Sequence, residues 1–367
     1  MTTSRYIVLA VYIIILFLIL NYIKTRITKN QNRKTKTIQF ILEIVLTLGV
    51  SMAIISFSDR VVWHHEYLFG SLYLVLMADV FSNLISLMVS FLRKGKDDPN
   101  VRIIIGAIIT LIFSISSIIN MQTITANYHE IKSSKLKNEY TIVFFADLHY
   151  GSAQSKQTVD KALEEIADLK PDCLLLGGDI TDEFTTKEEM EYIYQKIGSL
   201  NIRTYYIYGN HDRQDSNLLA YGREYSEEEL ANAIRRNNIT ILYDDYAQIN
   251  DDLIIIGRED VSRPEKRKAV KDLPAYNKES YVITVDHNPY QNEDIIELKA
   301  DLQLSGHTHA GQFFPVKTIY KLLGLNAYGD YHIGNTHLYV SSGIAGWYLP
   351  FRSDEHCNYE VIQLKPE

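Results

Sequence analysis

Four long apolar runs fill the first third of this 367-residue chain, and no other feature restricts its fold as strongly. They cover residues 6–23, 38–57, 67–92 and 103–121, and only Glu43 and Asp79 interrupt them. A bilayer core takes about 20 apolar residues in helical form, so each run is long enough, or nearly so, to span one. Four in succession, without the charge periodicity of soluble helices, predict a transmembrane region over 1–126. The first run has one Arg before it, no small-residue cleavage site and a basic cluster behind it. That pattern fits a retained span better than a cleaved leader.

Loop charge predicts the orientation. Loops 24–37 and 93–102 together carry ten Lys and Arg, whereas loop 58–66 carries Arg60 alone. The positive-inside rule then places the first two loops in the cytoplasm and everything after residue 121 outside it. The expectation is a multi-pass protein of the cell membrane with an extracytoplasmic domain. Glu43 and Asp79 within the spans read most simply as helix-contact or interfacial carboxylates, and neither is given a role. The polar stretch 127–138 reads as a linker.

Charge changes sign along the chain. Residues up to 138 hold 15 Lys and Arg against 7 Asp and Glu, and the remainder hold 22 against 38. An acidic domain argues against a nucleic-acid partner, because phosphate backbones select basic surfaces. The two cysteines, Cys173 and Cys357, make neither a disulfide framework nor a thiolate zinc site.

Residues 139–367 read as one soluble domain. Brief apolar runs at 140–146, 173–177 and 204–208 alternate with helical spacing over 156–169 and 187–197, a βαβαβ pattern that builds a mainly parallel sheet. A helix is expected over 227–236, opened by a Ser226–Glu229 capping box. Further strands are expected at 253–257, 281–285, 302–304, 337–341 and 359–364, with short helices at 291–298 and 317–323. So many strands on about 230 residues suggest two stacked sheets with helices outside.

Five polar clusters each follow an expected strand, where open α/β sheets place their binding residues. Asp147-Leu-His149 puts two ligand types at alternate positions, facing one way in extended chain. Gly177-Gly-Asp179-Ile-Thr-Asp182 brings a carboxylate in on a tight glycine turn, and Asp179 is the candidate to bridge two cations. Gly209-Asn210-His211-Asp212 offers a neutral oxygen ligand, a proton donor in His211, and a partner for its other nitrogen in Asp212. His287 and the His307-Thr-His309 loop complete the set. A lone Asp-x-His is common by chance, and a lone histidine is more often structural. The coincidence of five clusters at strand ends is what carries weight.

These motifs, in this order, resemble the calcineurin-like metallophosphoesterases. The apolar N-terminal third and the segment Gly343-Ile-Ala-Gly346 to Leu349-Pro350-Phe-Arg352 are similar to the membrane-bound branch of that family, although His356-Cys-Asn stands where a proline-rich stretch is usual. The resemblance implies a four-layer α/β/β/α sandwich. It also implies one metal held by Asp147, His149, Asp179 and His309, and a second held by Asp179, Asn210, His287 and His307. The expected reaction is hydrolysis of a phosphoester, with a bridging hydroxide attacking phosphorus in line and His211 protonating the leaving group or steadying the phosphoryl oxygens. Histidine and carboxylate ligands without thiolates fit two divalent ions of manganese, iron or zinc. An envelope or lipid-linked phosphoester or pyrophosphate is the expected substrate. A non-catalytic membrane sensor on the same fold and a nucleotide phosphodiesterase of reversed topology stay open, as does the oligomeric state.

Overall fold

The computed structural model describes residues 12–21, 65–92, 99–213 and 223–367. The chain divides into two compact units, with the boundary between Ile119 and Asn120.

The first unit is helical where described: α1 (Tyr12–Asn21), α2 (His65–Leu92) and most of α3 (Pro99–Gln122). Among the described residues one segment, Ile103–Gln122, is long and apolar enough to cross a membrane, while Tyr12–Asn21 and Gly70–Ser86 are shorter apolar helices. Among the described residues the fourth expected span is thus a full-length candidate, and the first and third appear as shorter apolar helices. The expected span at 38–57, with Glu43, lies outside the described residues. Asp79 accepts a hydrogen bond from Asn83 one turn along α2, at 3.1 Å.

The second unit is a sandwich of two six-stranded sheets flanked by helices. The first sheet contains β1 (Ile124–Ser133), β2 (Tyr140–Phe145), β3 (Cys173–Leu176), β4 (Thr204–Tyr206), β5 (Ile239–Ile241) and β12 (Cys357–Pro366), in the order β1-β12-β2-β3-β4-β5. The second contains β6 (Asp245–Asn250), β7 (Leu253–Gly257), β8 (Tyr281–Val285), β9 (Leu302–Ser305), β10 (Gly329–Ile333) and β11 (Thr336–Val340), in the order β10-β11-β9-β8-β7-β6. Strand periodicity explains the layering. Successive side chains point to opposite faces, so Ile142 and Phe144 of β2 enter the core between the sheets, with Leu253, Ile283 and Leu304. Val143 and Phe145 enter the outer core beneath α4 (Lys156–Asp168), α5 (Lys187–Ser199) and α6 (Glu227–Arg236). On the far side Ile254, Ile256 and Val282 pack against Leu298 of α7 (Asn292–Leu298). The Ser226–Glu229 capping box opens α6. A second capping box, Thr186–Glu189, opens α5.

The expected linker 127–138 is instead largely strand. β1 pairs in parallel with β12 over ten positions, from Ile124 opposite Cys357 to Ser133 opposite Pro366. It is an edge strand, so only alternate residues are covered and the other face keeps its polar residues. Its partner lies more than 230 residues away, and no local signal announces the pairing. Three short strands near the sheet edges, β5, β6 and β10, were likewise not expected.

Candidate metal centre

The ends of β2, β3, β4, β8 and β9 converge, and the loops that leave them carry the candidate ligands. Asp147 and His149 follow β2, Asp179 follows β3, Asn210 follows β4, His287 follows β8, and His307 and His309 follow β9. Five of these seven have left-handed backbone: Asp147 at φ 57°, His149 at 42°, Asp179 at 52°, His307 at 73° and His309 at 44°. Such conformations are unfavourable for residues with a Cβ, and they concentrate at functional sites where surrounding structure enforces them. Two glycines let the loops meet. A Cβ on Gly178 would stand 2.5 Å from the Gly209 nitrogen, and one on Gly306 would strike the Asp147 carboxylate.

The side chains form two adjoining groups: Asp147, His149 and His309 in one, Asp179, His287 and His307 in the other. Within each, the ligand atoms lie within 4.8 Å of one another. Asp179 Oδ2 stands 3.0 Å from His287 Nε2 and 3.8 Å from His149 Nε2, so one oxygen faces both groups. Asn210 Oδ1 lies 3.0 Å from His307 Nδ1. Across the first group His149 Nε2 and His309 Nε2 are 3.0 Å apart, and His309 Nε2 is 3.4 Å from Asp147 Oδ1. All seven candidate ligands are thus brought to one place.

The donor set fits cations. Buried polar groups are nearly always hydrogen-bonded, yet the enclosed His287 Nε2, which faces Asp179, has no hydrogen-bond partner. His287 Nε2 and Asp179 Oδ2 approach to 3.0 Å. His287 Nδ1 faces the Gly177 carbonyl at 2.8 Å, and although burial opposes charge on the ring, Asp179 outweighs it and raises His287 well above the usual imidazole range. Asp182 Oδ2 stands 3.3 Å behind His149 Nδ1. Burial and the adjacent His287 push His307 down to about 4, and burial with His149 holds His309 well below the usual imidazole range. Both rings therefore present neutral nitrogens. Burial opposes charge on Asp179, but His287 and His211 outweigh it and hold the carboxyl well below its usual range.

The role expected for Asp212 is corrected. His211 and Asp212 lie in a 3₁₀ turn, His211–Arg213, and consecutive residues of a helical turn do not face the same way. The imidazole instead meets Glu183, from the loop after β3, with Nδ1 to Oε2 at 2.8 Å. Burial resists charge on His211, but Asp179 and Glu183 outweigh it and raise the ring to about 9. Asp212 is fully buried and accepts backbone N–H bonds from Asp179 at 2.7 Å, Gly209 at 2.8 Å, and Ile180 and Thr181 at 3.1 Å. It clamps the Asp179 loop to the Asn210 loop. Trp347 also borders the site, its ring 5.3 Å from that of His211. Neither Glu183 nor Trp347 was singled out in the sequence, because no spacing links them to the ligand clusters.

Two neighbouring segments find structural explanations. Arg213 pairs with Glu259 and packs over Tyr208 in the interior. Arg352 donates to the carbonyls of Ser342 at 3.0 Å and Ala345 at 2.9 Å, which fixes the loop whose Gly343 rests against Asp147.

A family model for calcineurin-like phosphoesterases matches residues 140–311. An uncharacterized metallophosphoesterase of Helicobacter pylori is 30% identical over 241 residues, covering 64% of this chain and 62% of that protein. A transmembrane protein with metallophosphoesterase domain from Danio rerio is 24% identical over 283 residues, covering 71% of this chain and 62% of that protein. The phosphodiesterase YaeI of Escherichia coli is 27% identical over 223 residues, covering 57% of this chain and 76% of that protein. The chain thus spans 62% of the length of the Helicobacter and Danio relatives. The matched span takes in every candidate ligand from Asp147 to His309. Residues 140–311 therefore match a calcineurin-like phosphoesterase domain, and the relatives that the chain resembles are named metallophosphoesterases or, for YaeI, a phosphodiesterase.

Proposed function

We propose that this protein is a membrane-anchored phosphoester hydrolase that works with two divalent cations. The observation that carries the reading is the position of Asp179 Oδ2 between the two ligand groups. One carboxylate shared by two sets of imidazole and carboxylate donors is the arrangement that a cation pair requires. Asp147, His149, Asp179 and His309 would hold one ion, and Asp179, Asn210, His287 and His307 the other. Manganese, iron and zinc all suit these ligands. Bound there, the ions would polarise a phosphoryl oxygen and acidify nearby water.

The protein's own part is positioning and proton transfer. Glu183 fixes the His211 ring through Nδ1, which leaves Nε2 to face substrate. His211 stands outside both groups of close ligand atoms, with its Nδ1 committed to Glu183. That position suits a group that protonates a leaving oxygen rather than one that holds an ion. His211→Ala is expected to keep its bound metal and lose about 10²–10⁴-fold in kcat. Glu183→Gln should lose less, in kcat rather than KM. Loss of metal in the His211 variant would contradict this assignment.

The anchor reading rests on α3. Ile104, Ile108, Leu111, Ile112, Ile115 and Ile119 share one helical face and are all about half exposed. Such an apolar face suits lipid. The chain enters the phosphoesterase unit beside the His149 loop, where Gln154 donates to the Met121 carbonyl at 2.5 Å and Thr158 to Gln122 Oε1 at 2.9 Å. An anchor of this kind supports a substrate held at the membrane, such as a lipid-linked phosphoester or pyrophosphate. The loop charges support an extracytoplasmic domain.

Turnover by the full-length, manganese-loaded protein tests the whole reading. Phosphomonoesters, phosphodiesters and lipid pyrophosphates would be offered in turn. Hydrolysis of at least one class is expected, and metal-loaded protein silent on all three would point to the binding-only sensor. Chelation supplies a second check. Ions at 100 times their dissociation constant stabilise a fold by about 2.7 kcal/mol, so EDTA should lower the thermal midpoint and manganese restore it. An unchanged midpoint would argue against an ion-holding site.

A further inference from the structure

Away from that ligand cluster, a second set of side chains of metal-ligand type stands on the β10–β11 hairpin. Asp330, His332 and His337 place their ligand atoms within 4.8 Å of one another. They lie in none of the five strand-end clusters, and strand pairing alone brings them together. β10 and β11 run antiparallel, with His332 directly opposite His337 and Asp330 opposite Tyr339. A two-residue turn, Gly334-Asn335, joins them, with Gly334 at φ +63°. Asp330 and His332 are two positions apart on one strand and so share a face. His337 meets them from across the ladder, its ring centroid 4.1 Å from that of His332.

The other face of the hairpin is committed to packing: Tyr331, Ile333, Leu338 and Val340 cluster with Ile295 of α7. That contact and the ladder hold the backbone, so the three ligands are presented on a fixed frame. Asp330 and His332 are exposed, and His337 is half-buried with its Nδ1 enclosed and without a hydrogen-bond partner. Two imidazoles and one carboxylate are the ligand types that a divalent transition metal takes, with three protein donors leaving a position for water or an outside ligand.

We propose that this hairpin holds a third metal ion, zinc, separate from the pair at the phosphoesterase centre. Asp330, His332 and His337 are its ligands, and the ion ties the outermost strand of the second sheet to its neighbour beside the turn. The site does not depend on the catalytic reading, because none of its residues takes part in the Asp179 cluster.

The test is zinc stoichiometry of the full-length chain, stripped with EDTA and dialysed against buffered zinc. The double variant His332→Ala/His337→Ala is expected to bind one equivalent fewer than its parent. The comparison is repeated in an Asp179→Asn background, so a failure of the catalytic reading leaves the hairpin difference measurable. A milder pair, Asp330→Asn and His337→Gln made singly, should each lose the same equivalent while keeping the EDTA-state melting curve of the parent. Zinc content equal to the parent in the double variant, in both backgrounds, overturns the proposal.

Discussion

Asp212→Ala is expected to lower the unfolding free energy by about 4 kcal/mol and to strip the chain of its bound metal. The side chain is fully buried and receives four backbone N–H bonds together with the Thr181 hydroxyl. Truncation leaves those donors without an acceptor in a place water does not readily reach, and each stranded donor costs about 1–3 kcal/mol. Partial relaxation keeps the total near 4 kcal/mol, which already falls among the largest single-substitution effects. For a domain of this size that corresponds to a drop of about 8–16 °C in thermal midpoint. Asp212→Asn should be milder, since one amide oxygen still accepts while the NH₂ group faces donors. Thermal melts of both variants in EDTA separate this effect from metal binding. A midpoint within a degree or two of the parent for Asp212→Ala would show that the carboxylate is not the clamp.

The error over Asp212 shows where reading a sequence reaches its limit. The ligand clusters were legible because chemistry-bearing residues follow strands, and strand ends are where open sheets expose such groups. The α6 start was legible because a capping box is a local device, complete within the four residues from Ser226 to Glu229. Asp212 sits next to His211 in the chain, and adjacency suggested partnership. Inside a helical turn neighbours diverge, and the partner came from Glu183, 28 positions earlier. β1 hid for a related reason. Its exposed residues read as linker, and the pairing that orders it joins Ile124 to Cys357 across most of the domain. Local devices are written locally, whereas contacts made by the fold appear only once the sheets are assembled.

Asp179→Asn is expected to release both cations and lower kcat/KM by at least about 10³-fold, which is about 4 kcal/mol of transition-state stabilisation. The two oxygens have different duties. Oδ1 accepts the His211 backbone N–H at 2.8 Å, which holds the carboxylate in place. Oδ2 faces His287 on one side and His149 on the other. An amide removes the negative charge that the two sets of donors share, and both ions lose it together. Asp147→Asn provides the contrast, since Asp147 belongs to one group only and should forfeit a single equivalent. Gly209→Ala tests the same claim without altering a ligand. A Cβ there would occupy the space of the Asp179 carboxylate and press on its backbone nitrogen at 2.6 Å. Displacing Asp179 should therefore reproduce the metal loss of its replacement. Metal content and turnover measured on all three variants decide the point: an Asp179→Asn protein that retains two tightly bound ions at parental activity would remove the shared carboxylate from the mechanism.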